Sequence, residues 1–245
     1  MTALKFAPEG YPFIFGSLII AVIVLVFFIR DWISGIYDFS FYFFLSSSCF
    51  LIGLTIFMAF FFRDPERNIP EGKGIFVSPA DGKVILIKDV YEKDYLKADS
   101  KEISIFMSLF DVHVNRAPCD GNVSLIKHSP GRFLVAHKDA ASMENENSVI
   151  VLDGKDGKIL VRQVAGFLAR RIVCRVKVGD VLRRGERYGM IKFGSRLDVY
   201  LPKDTEIKVK LGDKVKAGET VIGTISLSSW LVQDLSSRRI PDKLE

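Results

Sequence analysis

Two long stretches without a single charge set the terms for this chain: Gly10 to Ile29, and Phe39 to Phe62. At about 1.5 Å of rise per residue, either stretch as a helix reaches across the ~30 Å apolar core of a bilayer. Phe57-Met58-Ala59-Phe60-Phe61-Phe62 offers no polar face to a soluble fold, so a pair of buried core helices is the poorer reading. A cleaved signal peptide is poorer too. The first run is long, no small-residue cleavage site follows it, and a second run begins after only nine residues. The expectation is a transmembrane helical hairpin over residues 1–62, with Arg30-Asp31-Trp32 and Tyr37-Asp38 at one surface. Arg63, Arg67 and Lys73 follow the second run, against Arg30 alone in the loop. The positive-inside rule then puts both termini, and the domain beyond residue 62, on the cytoplasmic side of a cell membrane.

From Arg63 onward the texture changes. Phe62-Arg63-Asp64-Pro65-Glu66-Arg67-Asn68-Ile69-Pro70 is a polar, proline-bounded exit, and short apolar runs then alternate with Gly, Pro and Asp turns. Gly74–Ser78, Lys83–Lys88, Glu102–Leu109, Asn122–Lys127, Ser148–Leu152 and Lys158–Val164 read as strands. Asp81-Gly82, Asp120-Gly121, Asp153-Gly154 and Asp156-Gly157 supply turn chemistry. One helical signal lies around Val135–Asn145. No G-x-G-x-x-G or P-loop pattern occurs, which argues against a dinucleotide-binding or P-loop domain. Three cysteines, an odd number, with Cys49 inside an apolar run and neither Cys119 nor Cys174 at metal-ligand spacing, read as reduced thiols rather than disulfide or metal partners.

Val176-Lys177-Val178-Gly179-Asp180 … Gly185-Glu186 recurs as Val209-Lys210-Leu211-Gly212-Asp213 … Gly218-Glu219. Each copy runs strand, Gly-Asp turn, basic spacer, Gly-Glu turn, strand, the kind of repeat that buries one face against its copy. The pattern resembles lipoyl- and biotinyl-type half-barrels and the duplicated hybrid motif of some sugar-phosphotransfer proteins. Two similar hairpins in any β-barrel would account for it equally well. The fold expected is mainly β, a barrel-like sandwich with an internal hairpin repeat of the duplicated hybrid-motif kind, behind the N-terminal helical hairpin.

Histidine is scarce, with only His113, His128 and His137. Strand alternation puts Asp111, His113 and Asn115 on one face, a carboxylate, an imidazole and an amide in a row. Taken singly, His113, the turn acid Asp81 and the pair Gly194-Ser195 each have a bland structural reading. Their order says more. Phe61-Phe62-Arg63-Asp64-Pro65, then Ser78-Pro79-Ala80-Asp81-Gly82, then Asp111-Val112-His113 … Arg116-Ala117-Pro118 are followed by Pro130-Gly131, by Glu144-Asn145-Glu146-Asn147 and by Gly189-Met190-Ile191-Lys192-Phe193-Gly194-Ser195-Arg196. Over about residues 58 to 225, this ordered set resembles the pyruvoyl-dependent phosphatidylserine decarboxylases, and most closely their short type with a Gly-Ser processing site.

The resemblance implies decarboxylation of phosphatidylserine to phosphatidylethanolamine, in phospholipid biosynthesis, through a self-generated pyruvoyl group. Decarboxylating an α-amino acid leaves electrons that need a sink. A pyruvoyl ketone, which condenses with the substrate amine as a Schiff base, is one such sink, and it needs neither pyridoxal phosphate nor a metal. By the resemblance the Ser195 hydroxyl attacks the Gly194 carbonyl to give an ester. Elimination then cuts the chain, leaving dehydroalanine that hydrolyses to pyruvoyl at position 195. The β-rich domain, residues 63–245, would thus be split between 194 and 195, into a large chain (1–194) and a small chain (195–245) that stay together as a heterodimer. Glycine before the serine leaves the attack unhindered. His113 would activate Ser195, oriented by Asp81, with Asp111 in reserve. Many bacterial members carry a second histidine where this chain has Arg116. Either His113 serves both steps or Arg116 has taken a binding role.

Charge distribution also bears on the substrate. Residues 1–62 hold only Lys5, Glu9, Arg30, Asp31 and Asp38 of the 34 basic and 29 acidic side chains, so the remainder carries net +6. A basic domain tethered to a bilayer is drawn to anionic headgroups, with Arg116, Arg132, Arg170 and Arg171 as candidate contacts. Nucleic acid fits poorly with membrane spans and this modest charge. Two rivals remain: a carrier domain with lipoate or biotin on Lys192, and a non-catalytic membrane-tethered β-barrel that binds lipid or protein. Both require an uncut chain.

Overall fold

The computed structural model describes residues 5–131, 145–166, 171–192 and 195–225. It divides into two compact units, Met1–Glu66 and Arg67–Glu245. The expected helix around Val135–Asn145 lies outside the described residues, apart from Asn145.

The first unit is a helical hairpin. α1 (Tyr11–Ile33) and α2 (Phe39–Phe61) are joined by a short turn, and Asp38 caps α2 by accepting from the Ser40 amide at 2.9 Å. The helices are stitched together by Thr55 Oγ1 donating to Ser17 Oγ at 3.0 Å and by Ser40 Oγ donating to the buried Asp31 at 2.9 Å. Stacked rings (Phe27 on Phe44, Phe28 against Phe41) fill the seam. At the open end the Ala7 amide donates to the Phe62 carbonyl at 2.8 Å, and Gly10 lies so close to Phe62 that a Cβ there would sit 2.4 Å from it. Nearly all remaining apolar surface faces outward, as at Ile19 (60% exposed) and Phe50 (70%). Both helices are long and apolar enough to cross a membrane, which suits membrane association.

The second unit is all β among the described residues. Its strands are β1 (Ile75–Val77), β2 (Gly82–Glu92), β3 (Ala98–Met107), β4 (Val114–Arg116), β5 (Gly121–Ser129), β6 (Asn147–Gly154), β7 (Gly157–Ala165), β8 (Arg171–Cys174), β9 (Val181–Leu182), β10 (Arg187–Lys192), β11 (Ser195–Pro202), β12 (Thr205–Ile207), β13 (Lys214–Val215) and β14 (Val221–Ile225). Eight strands form one antiparallel sheet in the order β13-β2-β3-β11-β7-β6-β5-β9. Two three-stranded sheets, β1-β14-β12 and β4-β10-β8, accompany it. The inward face of the large sheet supplies the core, with Ile103, Ile105, Met107, Leu197, Val199, Leu201, Ile159 and Val161 all inaccessible.

The duplication runs through the whole unit, far beyond the hairpin repeat. The large sheet reads the same from either edge, with β13, β2, β3 and β11 matched by β9, β5, β6 and β7. Hydrogen bonds repeat in pairs. Val77 donates to the Pro118 carbonyl and Arg116 to the Pro79 carbonyl, both at 2.9 Å. Gly218 donates to Ser78 and Gly185 to Ala117, both at 2.8 Å. Even the bulges are copied, between Val84 and Leu86 in β2 and between Val123 and Leu125 in β5. In one half β6 and β7 are joined by a tight turn closed by the pair Gly154–Gly157. In the other half the corresponding ladder ends at the pair Met107–Ser195 and has no turn. There the hairpin stands open, and β4 to β10 are inserted between its strands.

The Asp-Gly turns open the two long strands, and Gly82 shows why. Its φ is +155°, and a Cβ would lie 2.2 Å from the Phe106 carbonyl oxygen across the ladder. Gly82→Ala is therefore expected to cost roughly 2–4 kcal/mol, read as a lowered thermal midpoint in detergent. An unchanged midpoint would show that the β2–β3 backbone yields instead.

Candidate active site

Ser195 begins β11 at the open end of that hairpin, fully buried between Met107 of β3 and Ala165 of β7. Its Oγ contacts the Met107 sulfur at 3.3 Å. A thioether is a weak acceptor, so the hydroxyl is not held by a strong bond there. Asn115 Nδ2 approaches the same sulfur at 3.8 Å, and Asn115 Oδ1 accepts from Gln163 Nε2 at 2.8 Å. Ser195, Met107, Asn115 and Gln163 thus form one connected, buried group. Gly194 lies outside the described residues.

The strand start is pinned from the other side of the sheet. Arg196 is buried, with Nε 2.6 Å from Asp198 and Nη2 donating to Ser104 Oγ at 2.8 Å. Charge-assisted bonds in such a dry place are strong, so position 195 is fixed by its neighbour.

His113 is fully buried just before β4. Its Nδ1 sits 2.9 Å from the Asp111 carbonyl oxygen. A carbonyl only accepts, so Nδ1 carries the proton, and in the neutral ring Nε2 is the basic nitrogen. The Asp111 carboxylate holds this turn by accepting from the Ser108 amide at 2.8 Å and its hydroxyl at 2.7 Å. His128 is exposed on β5 beside Glu146, at 3.6 Å.

Asp81 opens the turn into β2. Its oxygens accept from Arg67 Nη2 at 2.8 and 3.0 Å, and Oδ1 also accepts from the Ala217 amide at 2.7 Å. Burial pushes its carboxyl above the ordinary value, Arg67 and the amide oppose that, and the nearby negative charge of Asp111 adds to the rise. The duplicate explains half of this geometry. Asp120, in the matching Pro-x-Asp-Gly turn, accepts from the Arg184 amide at 2.8 Å. Capping the opposite repeat is thus shared architecture. The buried Arg67 ion pair belongs to Asp81 alone of the two, among the described residues.

Arg116 is turned inward, contrary to its reading as a surface phosphate contact. It is buried, with Nη1 donating to the Gly185 carbonyl at 3.0 Å. Glycine at 218 makes room for its stem, since a Cβ there would be 3.1 Å from Arg116 Cδ. Arg171 is exposed at the start of β8, while Arg132, Arg170 and His137 lie outside the described residues. Lys192 is half-buried in β10 and paired with Arg171, a poor place for a swinging arm.

Neither Gln163 nor the side-chain role of Arg196 is expected from the motifs above, yet for Gln163 the sequence holds a signal. In Ile159-Leu160-Val161-Arg162-Gln163-Val164-Ala165 the residues of one face are Ile, Val, Gln and Ala, so an amide interrupts an apolar face.

Together these features define a β-rich, duplicated domain that follows an apolar helical hairpin in the chain, with a serine buried at a strand head and a buried imidazole held by the Asp111 carbonyl. The family model described as phosphatidylserine decarboxylase matches residues 54–223. The phosphatidylserine decarboxylase proenzyme of Syntrophus aciditrophicus is 46% identical over 219 residues, covering 89% of this chain and 96% of that one. The proenzyme of Geobacter metallireducens is 46% identical over 220 residues, with the same coverage, and that of Desulfotalea psychrophila is 49% identical over 172 residues, 70% of this chain and 80% of its own. The chain belongs to the phosphatidylserine decarboxylase family, and it is a decarboxylase enzyme.

Proposed function

We propose that this chain is a proenzyme that cuts itself between Gly194 and Ser195, converts Ser195 to a pyruvoyl group, and decarboxylates phosphatidylserine to phosphatidylethanolamine at the cytoplasmic face of a membrane. The observation that carries the reading is the buried Ser195 at the head of β11, on the open end of a hairpin that its duplicate keeps closed.

The residues present suit that group. Ser195 lies against a thioether, in a dry interior that keeps water from a reactive carbonyl. When formed, the group supplies the ketone that accepts the electrons released with carbon dioxide. The protein's own part is proton handling and positioning. His113 Nε2 takes the Ser195 proton as the hydroxyl adds to the Gly194 carbonyl. The Asp111 carbonyl holds the imidazole in the tautomer that leaves Nε2 basic. Asp81, paired with Arg67 and capping the Ala217 amide, is the acid assigned to support His113 in this reading. Arg196 keeps residue 195 in place after the cut, and the large and small chains stay joined through β11 between β3 and β7. The net positive charge beyond the hairpin draws the domain to anionic lipid.

A denaturing gel with intact mass and carbonyl labelling tests the reading. Two chains split at 194/195, with a carbonyl on the smaller, are expected, and a single unlabelled chain would refute it. Residues 1–62 serve as an anchor in this reading. Their deletion should leave self-cleavage intact, lower turnover on bilayer substrate about 10-fold or more, and spare a short-chain soluble analogue. Loss of cleavage would show that the hairpin is part of the catalytic fold.

A further inference from the structure

The two halves of the β unit provide an internal control. Asn115 of β4 pairs with Gly189, and the corresponding pair in the other half is Phe76 of β1 with Gly223. A Cβ on Gly189 would lie 3.1 Å from Gln163 Nε2, and a Cβ on Gly223 would lie 3.3 Å from Leu201 Cδ1. Gln163 and Leu201 therefore occupy equivalent places, each packed on an equivalent glycine. Where one half has Phe76 and Leu201, both fully buried in the core, the other half has Asn115 and Gln163. Packing alone is satisfied by the apolar pair, so the amides are there for another reason.

Their bonding shows which group is on offer. Met107 sulfur accepts from Asn115 Nδ2, which turns the Asn115 oxygen toward Gln163 and uses the Gln163 nitrogen. Gln163 Oε1 is left buried without a partner among the described residues, on a residue only 1% exposed. An unpaired buried carbonyl is costly, and a leucine there would avoid the cost. Gln163 pairs directly with Leu197, which places it diagonally from Ser195 on the same face, within the ~7–8 Å over which cross-strand neighbours interact.

From these observations we infer that Gln163 Oε1 accepts a hydrogen bond from the ammonium of the aminophospholipid headgroup, with Asn115 holding the Gln163 amide in place. The inference rests on the reading of Ser195 as the reacting position. The headgroup of phosphatidylserine offers one cationic donor and two anionic acceptors, a carboxylate and a phosphate. A lone carbonyl oxygen favours the donor and repels both acceptors. Being neutral, it orients the nitrogen without locking it in an ion pair, so the nitrogen can still give up its proton before it reacts.

The test uses the full chain in detergent and two short-chain lipids, phosphatidylethanolamine and phosphatidylpropanol, in which a methyl replaces the ammonium. Intact mass first reports whether each protein is cut at 194/195, which reads the Ser195 assignment separately. The cut proteins are then treated with borohydride, which reduces the pyruvoyl ketone to an alcohol so that no Schiff base can form with the lipid amine, and binding of each lipid is measured at equilibrium. Wild type is expected to prefer the amine-bearing lipid by about 10–100-fold, the worth of one buried charge-assisted bond. Gln163→Met, close in volume but lacking the acceptor, should be cut normally and lose that preference. Gln163→Glu, which keeps an acceptor oxygen, should retain it. The inference is overturned if Gln163→Met keeps the preference, if both variants lose it equally, or if Gln163→Met remains uncut, since the residue would then serve packing or processing. Wild type found uncut would instead remove the Ser195 reading on which the inference stands.

Discussion

Ser195→Ala is expected to accumulate as one uncut chain with turnover reduced by roughly 10⁴-fold or more. The variant has no hydroxyl to add to the Gly194 carbonyl and no route to the ketone. The substitution should fold, because Ser195 makes only a thioether contact among the described residues and alanine fits the same buried space. That separates loss of chemistry from loss of structure, and a thermal midpoint close to wild type would confirm it. Splitting at 194/195 in this variant would sink the pyruvoyl assignment. Ser195→Thr keeps a hydroxyl but adds a methyl in a filled core, so it should cut slowly and give a bulkier ketoacyl group.

His113→Ala carries the second large expected effect, and it should appear in two measurements. Self-cleavage loses the base that takes the Ser195 proton, so uncut chain should build up. Any cut fraction, normalised to carbonyl content, should turn over about 10²–10⁴-fold more slowly, because a proton must still be delivered to the carbon that loses carbon dioxide. His128→Ala should change neither, given its exposed place beside Glu146 on β5. Normal cleavage and turnover in His113→Ala would move the base elsewhere, with Asp81 the first alternative.

Much of this architecture could be read from the chain because some positions tolerate only one chemistry. The hairpin was legible because two runs of some twenty residues carried no charge. The strand starts were legible because Asp-Gly pairs are needed where β2 and β5 begin and where β6 turns into β7. The repeat around Gly185 and Gly218 shows in sequence because both glycines adopt positive φ, +77° in each case, with Ile69 packed against them. The rest of the duplication was hidden because core positions require only apolar volume. Ile105 and Leu152, or Leu201 and Gln163, reveal their kinship only through ladder register. Arg116 misled for a related reason. An arginine in a chain of net positive charge reads as surface, and nothing local shows that Gly218 leaves room for its stem or that the distant Gly185 carbonyl accepts from its head. For Asp81 the turn was legible, while its partner Arg67, fourteen positions earlier in the membrane exit, was not.

If the chain cuts itself at 194/195 as proposed, the nested arrangement of the two halves also sets when it can do so. β11 is the central strand of the large sheet and is among the last to be made, and the Ala217 amide that holds Asp81 comes later still. On a ribosome, a chain still lacking these segments has the His113 turn but no completed sheet in which to seat Ser195. In the proposed reading, processing is therefore a reporter of finished synthesis and folding. Nascent chains stalled before residue 217 should stay whole, while the two apolar helices, made first, have long since left the ribosome.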